Sequence, residues 1–245
     1  MAGGAGPGDP ELLTRKAERL IRAASIVFHD ALVGPGVLAL IPEGVRRVPV
    51  GKRSGRHSKE QAQIDAMLVA AARAGERVVR LKGGDPSLFG RSAEEMDALA
   101  RHGISCQICP GITTASAAAA QAGISLSLRG VARQVRLVTA HARKGEALAI
   151  DWRVLADPDA TLAIYMGRAA APEIARQLAA HGLAADTPVL IASNVSLPGE
   201  QMLHTRLDLL PLAAMTAPEG APSLILVGRA VAERVRADAD SLTEA

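Results

Sequence analysis

The sequence predicts an α/β fold built from two domains, each a largely parallel sheet flanked by helices. Three observations predict it. Short apolar runs alternate with helical patterns along nearly the whole chain, several helix starts carry local capping signals, and a Pro-Gly step followed by a small-residue stretch divides the chain near its middle.

The apolar runs predict strands at Ile26–His29, Arg46–Pro49, Val78–Leu81 and Ser105–Cys109, then at Val135–Thr139, Thr161–Tyr165, Pro188–Ala192 and Ser223–Val227. Helical patterns fill the gaps. Ser58 with Gln61, and Ser92 with Glu95, both fit a capping box, in which the serine side chain and the later acid or amide satisfy orphan backbone N–H groups. Pro110-Gly111 precedes the Ala-rich stretch Thr113 to Ala122, which places the join between domains 1–112 and 113–245. The glycine-rich segment from Gly3 to Asp9 begins almost at Met1, and no strand is predicted before it, although such a loop ordinarily follows a buried strand. The polar segment Arg234 to Ala245 is expected to fray.

Composition narrows the function. With 245 residues, 49% hydrophobic and 22% charged, the chain can bury a core, but aromatic residues make up only 2%. Single-stranded nucleic acid therefore finds no stacking platforms, and no nucleic-acid partner is expected. The net charge of +3 rests largely on Arg, whose planar fork suits an anionic small substrate; plain use of Arg in place of Lys is the alternative. No run approaches the roughly 18 apolar residues of a membrane span, and Met1 to Asp9 has no signal-peptide pattern, so a cytoplasmic protein is expected. Cys106 and Cys109 form a C-x-x-C spacing, but no second pair or nearby His completes a zinc site, and on a strand residues three apart face opposite sides. No metal is expected.

Gly4-Ala5-Gly6-Pro7-Gly8-Asp9 superficially resembles a dinucleotide loop, yet Asp9 falls where the third glycine of G-x-G-x-x-G belongs. A nicotinamide enzyme is thus disfavoured. Pro7 fixes one backbone angle and suits a rigid wall beside a ligand, or simply a structural turn. Val78 to Leu81 runs directly into Lys82-Gly83-Gly84-Asp85-Pro86, so a buried strand ends in a segment where backbone can approach a ligand, followed by an acid.

Together with Val50-Gly51-Lys52-Arg53, Arg91 with Glu94, Pro110 to Thr114 and Tyr165-Met166-Gly167, that segment resembles the uroporphyrinogen-III C-methyltransferases, in the right order from Gly4 to about Ala232. The resemblance implies a homodimer of a two-domain tetrapyrrole methylase fold, with S-adenosylmethionine in the crevice between domains, S-adenosylhomocysteine as product, and a tetrapyrrole substrate. It implies that the methyl donor contacts Pro7, Gly83, Gly84, Asp85, Leu88, Thr113, Thr114 and Met166, with Val195 at a position more usually Gly. It places the proton acceptor on Asp30 and the proton donor on Lys52, and it gives Arg91, Glu94, Arg129 and His141 to holding or orienting the substrate. Methyl transfer by in-line displacement needs positioning and a base, and a polycarboxylate substrate needs Arg clamps, so these residue types fit the chemistry.

Each of these residues also has a plain structural role to weigh. Asp30 can accept turn hydrogen bonds, Lys52 and Arg53 can form a solvated pair, Glu94 sits in a helix first turn where an acid is favourable, and Met166 can be core. Three positions depart from the family pattern on the substrate side: Ala31 where Arg is usual, Leu128 where His is usual, and Ser87 where an aromatic is usual. Ala31 leaves Asp30 without an adjacent cation, which predicts slower turnover. The competing functions are a same-fold methyltransferase for another corrin position or another substrate, and a binding protein that holds methyl donor or tetrapyrrole without turnover.

Overall fold

The computed structural model describes residues 1–51, 61–140, 148 and 150–232. The chain divides into two compact units. The first comprises 1–117, 194–200 and 218–222, and the second comprises 118–193, 201–217 and the residues from 223 on.

In the first unit the elements run β1 (Ala2–Gly4), α1 (Arg15–Ala23), β2 (Ile26–His29), α2 (Pro35–Ala39), β3 (Arg46–Pro49), α3 (Gln61–Arg73), β4 (Val78–Lys82), α4 (Ser92–Ala100), β5 (Ile108–Cys109) and α5 (Thr114–Gln121), across which the division falls. The five strands form one sheet in the order β3-β2-β4-β1-β5, and every pairing is parallel. Both faces are covered. Val27, Val79 and Leu81 join Ile21, Val37 and Ile41 of the α1/α2 side, whereas Ile26 and Phe28 join Ile64, Leu68 and Leu99 of the α3/α4 side. That double coverage explains why β2 reads as an apolar run and why β2 and β4 are both buried along most of their length.

Two expectations are corrected here. The glycine segment near Met1 does contain a strand, since Ala2–Gly4 pairs with Arg80–Lys82 on one side and with Ile108–Cys109 on the other. Small residues have low strand propensity and hid it, but bulk is excluded at its end: a Cβ on Gly4 would lie 2.5 Å from the Gly111 Cα. The capping box at Ser92 is not formed. Arg91 is the N-cap residue without a side-chain cap, the Ser92 hydroxyl donates to the Pro86 carbonyl at 2.6 Å, and Glu95 turns inward to buried cations. The second proposed box begins at Ser58, which lies outside the described residues.

The second unit runs β6 (Gln134–Thr139), α6 (Trp152–Leu155), β7 (Ala160–Tyr165), α7 (Ala171–Ala180), β8 (Pro188–Ser193), β9 (Gln201–Arg206), α8 (Leu210–Thr216) and β10 (Ser223–Val227). Its sheet has the order β6-β7-β10-β8-β9. The α/β class holds, but the expectation of a largely parallel sheet is corrected for this unit: β6–β7 is parallel, while β7–β10, β10–β8 and β8–β9 are antiparallel. The connection between β8 and β9, residues 194–200, is too short for the crossover that a parallel pair requires. Strand β9 was missed because its Gln-Met-Leu-His-Thr-Arg sequence is half polar, as suits an exposed edge. The apolar core cluster beneath has Leu162, Ile164, Ile174, Leu178, Leu207, Leu210 and Val227 among its members. Among the described residues no helix is long and apolar enough to cross a membrane.

Candidate functional site

Parallel strands deliver their following loops to one edge of the sheet, and in the first unit that edge gathers most of the residues singled out in the sequence. The loops after β1 and β4 are joined backbone to backbone. Gly84 N–H donates to the Gly6 carbonyl at 2.7 Å, Gly6 N–H donates back to Gly84 at 3.2 Å, and Ala5 N–H donates to Lys82 at 2.8 Å. Gly6 and Gly84 have φ of 64° and 69°, a conformation that disfavours a side chain. A Cβ on Gly111 would lie 2.3 Å from the Gly84 carbonyl oxygen, so the chain following β5 also presses against this pair. Pro7 is buried in the first loop, and Gly83 and Gly84 form the second. Thr114 opens α5 with its hydroxyl 3.8 Å from where a Cβ on Gly84 would stand, and Thr113 precedes it.

Asp85 holds this edge together. Its Oδ2 accepts from Gly111 N–H at 3.0 Å, and its Oδ1 accepts from Ser87 N–H at 2.7 Å and from the Ser87 hydroxyl. Partial burial alone would raise its carboxyl, but the Ser87 and Gly111 donors outweigh that and hold it below the usual carboxylate value. Ser87, which stands where an aromatic is usual, therefore serves the loop itself. Leu88 N–H closes the turn on the Asp85 carbonyl at 3.1 Å.

Asp30 follows β2, the neighbour of β4. Its Oδ1 accepts from Leu32 N–H at 3.0 Å, the turn contact weighed in the sequence, and its Oδ2 lies 3.9 Å from Arg80 NH1. Arg80 leads to a buried charge cluster that the sequence reading did not anticipate. Glu95 Oε1 accepts from Lys82 Nζ at 2.8 Å, from Arg80 Nε at 3.3 Å and from Gln61 Nε2 at 3.4 Å. The side chains of Arg80, Lys82 and Glu95 are no more than 8% exposed. Burial, with Arg80 adding to it, lowers the Lys82 ammonium from the ordinary lysine value despite the Glu95 contact. A signal was present: two cations two residues apart in an apolar strand share one face. The cation that Ala31 fails to supply to Asp30 arrives from the adjacent strand.

Arg91 and Glu94 are exposed and paired, Arg91 Nε to Oε1 at 2.8 Å and NH2 to Oε2 at 2.6 Å. The hydrogen bond between them holds Glu94 low and Arg91 high relative to their ordinary values. Phe89 and Arg91 both have φ of 54°, so the turn before α4 is a strained one for side-chain-bearing residues. Val195 is buried in the first unit between Asn194 and Ser196, whose φ values are 51° and 57°. The Ser196 hydroxyl accepts from Asp9 N–H at 3.0 Å, which ties this segment to the first glycine loop.

Two candidates belong to the second unit. Met166 follows β7 with φ of 55° and is 49% exposed, which removes the reading of Met166 as core. Arg129 is exposed on a turn closed by Leu128 N–H to the Ala132 carbonyl at 2.9 Å. Lys52 and His141 lie outside the described residues. Cys106 and Cys109 are free, and among the described residues no group of three or more His, Cys, Asp and Glu could hold a metal ion.

A parallel sheet whose strand ends carry glycine loops, an acid and an Arg-Glu pair defines an α/β enzyme of the kind that receives a small ligand at a strand-end edge. The chain belongs to the Tetrapyrrole (Corrin/Porphyrin) Methylases, whose family model matches residues 4–211. It is 52% identical to a uroporphyrinogen-III C-methyltransferase of Paracoccus denitrificans over 94% of this chain and 80% of the relative. It is 45% identical to a siroheme synthase of Gluconacetobacter diazotrophicus, covering 95% of this chain and 49% of that protein, so the chain spans about half the length of such relatives. Among solved structures it is similar to a uroporphyrin-III C-methyltransferase of Thermus thermophilus in complex with S-adenyl homocysteine, with a TM-score of 0.79, 38% identity, and coverage of 94% and 97% of the two chains.

Proposed function

We propose that this methyltransferase uses S-adenosylmethionine to methylate ring carbons of uroporphyrinogen III, yielding precorrin-2 for siroheme or cobalamin synthesis. The observation that carries the reading is the convergence of Asp30 and the Gly83–Asp85 loop at the adjacent ends of β2 and β4, in a chain 52% identical to a uroporphyrinogen-III C-methyltransferase. The glycine edge fits the methyl donor. Gly4 and Gly111 leave no room for side chains and Gly84 has a φ that disfavours one, so this edge offers backbone amides and carbonyls to whatever binds there.

When bound, S-adenosylmethionine supplies an electrophilic methyl group on a sulfonium. The chain's own groups do the rest. Pro7, Gly83, Gly84, Leu88, Thr113 and Thr114 wall and orient the donor, and Asp85 fixes the loops that carry them. Asp30, held by Leu32 N–H and facing Arg80, takes the ring-system proton, while Arg91, oriented by Glu94, presents a fork to a substrate carboxylate. Lys52 as proton donor, and Arg129, His141, Met166 and Val195 as further contacts, are proposed on resemblance, as are the homodimer and the metal-free site.

Incubating the protein anaerobically with S-adenosylmethionine and uroporphyrinogen III should give a dimethylated dihydro product by mass and absorbance, with a chelator present. Calorimetry should show S-adenosylhomocysteine binding under the same conditions. Absence of both product and binding would refute the assignment; binding without product would point to a different acceptor.

A further inference from the structure

We propose that Arg80 is a positioning residue that fixes the carboxylate of Asp30, and that Glu95 and Lys82 hold Arg80 in place from behind. The inference rests on the role of Asp30 proposed above. Arg80 projects from β4 on the face that packs against α4, with its side chain 8% exposed, and two of its nitrogens make three contacts. Nε donates to Glu95 at 3.3 Å, while NH1 donates to the Leu81 carbonyl at 2.7 Å and faces Asp30 Oδ2 at 3.9 Å. The same Leu81 carbonyl accepts Asp30 N–H at 3.4 Å, so backbone and guanidinium locate Asp30 from one point on β4.

A guanidinium loses its ability to orient a partner if it can swing, and Glu95 prevents that. Its Oε1 is shared by Arg80 and Lys82, and Lys82 in turn donates to the Gly90 carbonyl, immediately before Arg91. One buried acid thus anchors both the cation that faces the proposed base and the turn that carries the proposed substrate clamp. Burying two cations on one carboxylate is a costly arrangement for stability alone, where apolar residues of like size would serve as well or better. Among the described residues, Arg80 of β4 approaches the Asp30 carboxylate, Lys82 of β4 lies near enough to interact with it electrostatically, and His29 of β2 places its Nδ1 3.3 Å from the Asp30 backbone carbonyl.

A double-mutant cycle in single-turnover assays with saturating substrate and methyl donor tests this. Arg80→Lys retains the charge but not the fork, and it should slow methyl transfer about tenfold, one lost charge-assisted contact, with substrate KM and S-adenosylhomocysteine Kd within about twofold of wild type. In an Asp30→Asn background the same change should cost less than about twofold, because the group it positions is gone. Multiplicative losses, an unchanged rate, or a loss that enters the S-adenosylhomocysteine Kd would overturn the proposal. Should Arg80→Lys lower the folded fraction, Glu95→Gln, which leaves Arg80 in the chain, is to be run through the same cycle with the same expectation. Full activity of Asp30→Asn alone would refute the assignment of Asp30 itself, and a nearly inactive Asp30→Asn with multiplicative losses would refute only the role of Arg80.

Discussion

Strands β4 and β10 occupy the same place, each the middle strand of a five-stranded sheet and each buried along most of its length, yet they are built differently. β10 is apolar after its first residue, from Leu224 to Val227, whereas β4 alternates Val79 and Leu81 with buried Arg80 and Lys82. The difference teaches where each unit invests its stability. The second unit uses its middle strand as scaffold, while the first accepts buried charge there and meets Asp30 and the α4 turn with it.

The largest expected effect comes from removing the anchor on one side and an equivalent amount of packing on the other. Glu95→Ala should cost about 3 to 5 kcal/mol, since it leaves two buried cations without their carboxylate. Leu226→Ala, at a fully buried position, should cost about 2 to 5 kcal/mol through lost burial and a residual cavity. Urea unfolding measures both. The comparison breaks on rate: at a temperature where both variants are folded, Leu226→Ala should keep near-normal kcat and Glu95→Ala should not. Equal kcat in the two would mean that β4 is scaffold too.

A smaller effect is expected at Asp85, whose carboxylate organises the loops after β4 and β5. Asp85→Asn should cost about 1 kcal/mol near neutral pH, allowing for its partial exposure. The sign of the pH dependence follows from its lowered value: the stabilisation is fully present above the unfolded reference of 3.8 and is lost as pH falls through the folded-state value below it. Wild type and variant should therefore differ by a constant amount above about pH 5 and converge in acid, as followed by urea titrations at a series of pH values. A gap that persists undiminished at the lowest pH would assign Asp85 a role other than these charged hydrogen bonds.

The smallest effect on the fold and a clear one on activity is expected for Arg91→Lys. The Arg91–Glu94 pair is exposed, so the change should leave stability within about 0.5 kcal/mol. Loss of the bidentate fork should raise substrate KM or lower kcat/KM by about tenfold while S-adenosylhomocysteine binding stays unchanged. Parallel damage to both ligands would show that the turn before α4 supports the cofactor loops as well.

Much of this was legible in the sequence. Strands β2, β3 and β10 coincide with their predicted ranges, β2 and β10 because apolar run and burial agree there, and Gly83-Gly84-Asp85 and Asp30 fall at strand ends as their order implied. Other features were hidden for identifiable reasons. β1 has no apolar pattern because Ala2–Gly4 must be small where three chain segments meet, and β9 is half polar because it is an edge. The Ser92 capping box failed because Glu95 is drawn to the buried cations of Arg80 and Lys82 and not to the Ser92 amide.

By itself the sequence determined the alternation of strands and helices, the loops at the strand-end edge and the family, since these depend on periodicity and on residues near one another in the chain. Only the tertiary structure decided the direction of the strands in the second sheet, the strand hidden in the first glycines, and the meeting of Asp30, Arg80, Lys82 and Glu95. Those depend on pairings between distant segments, which are selected by packing and by the need of every buried charge for a partner, and neither is written in any local pattern.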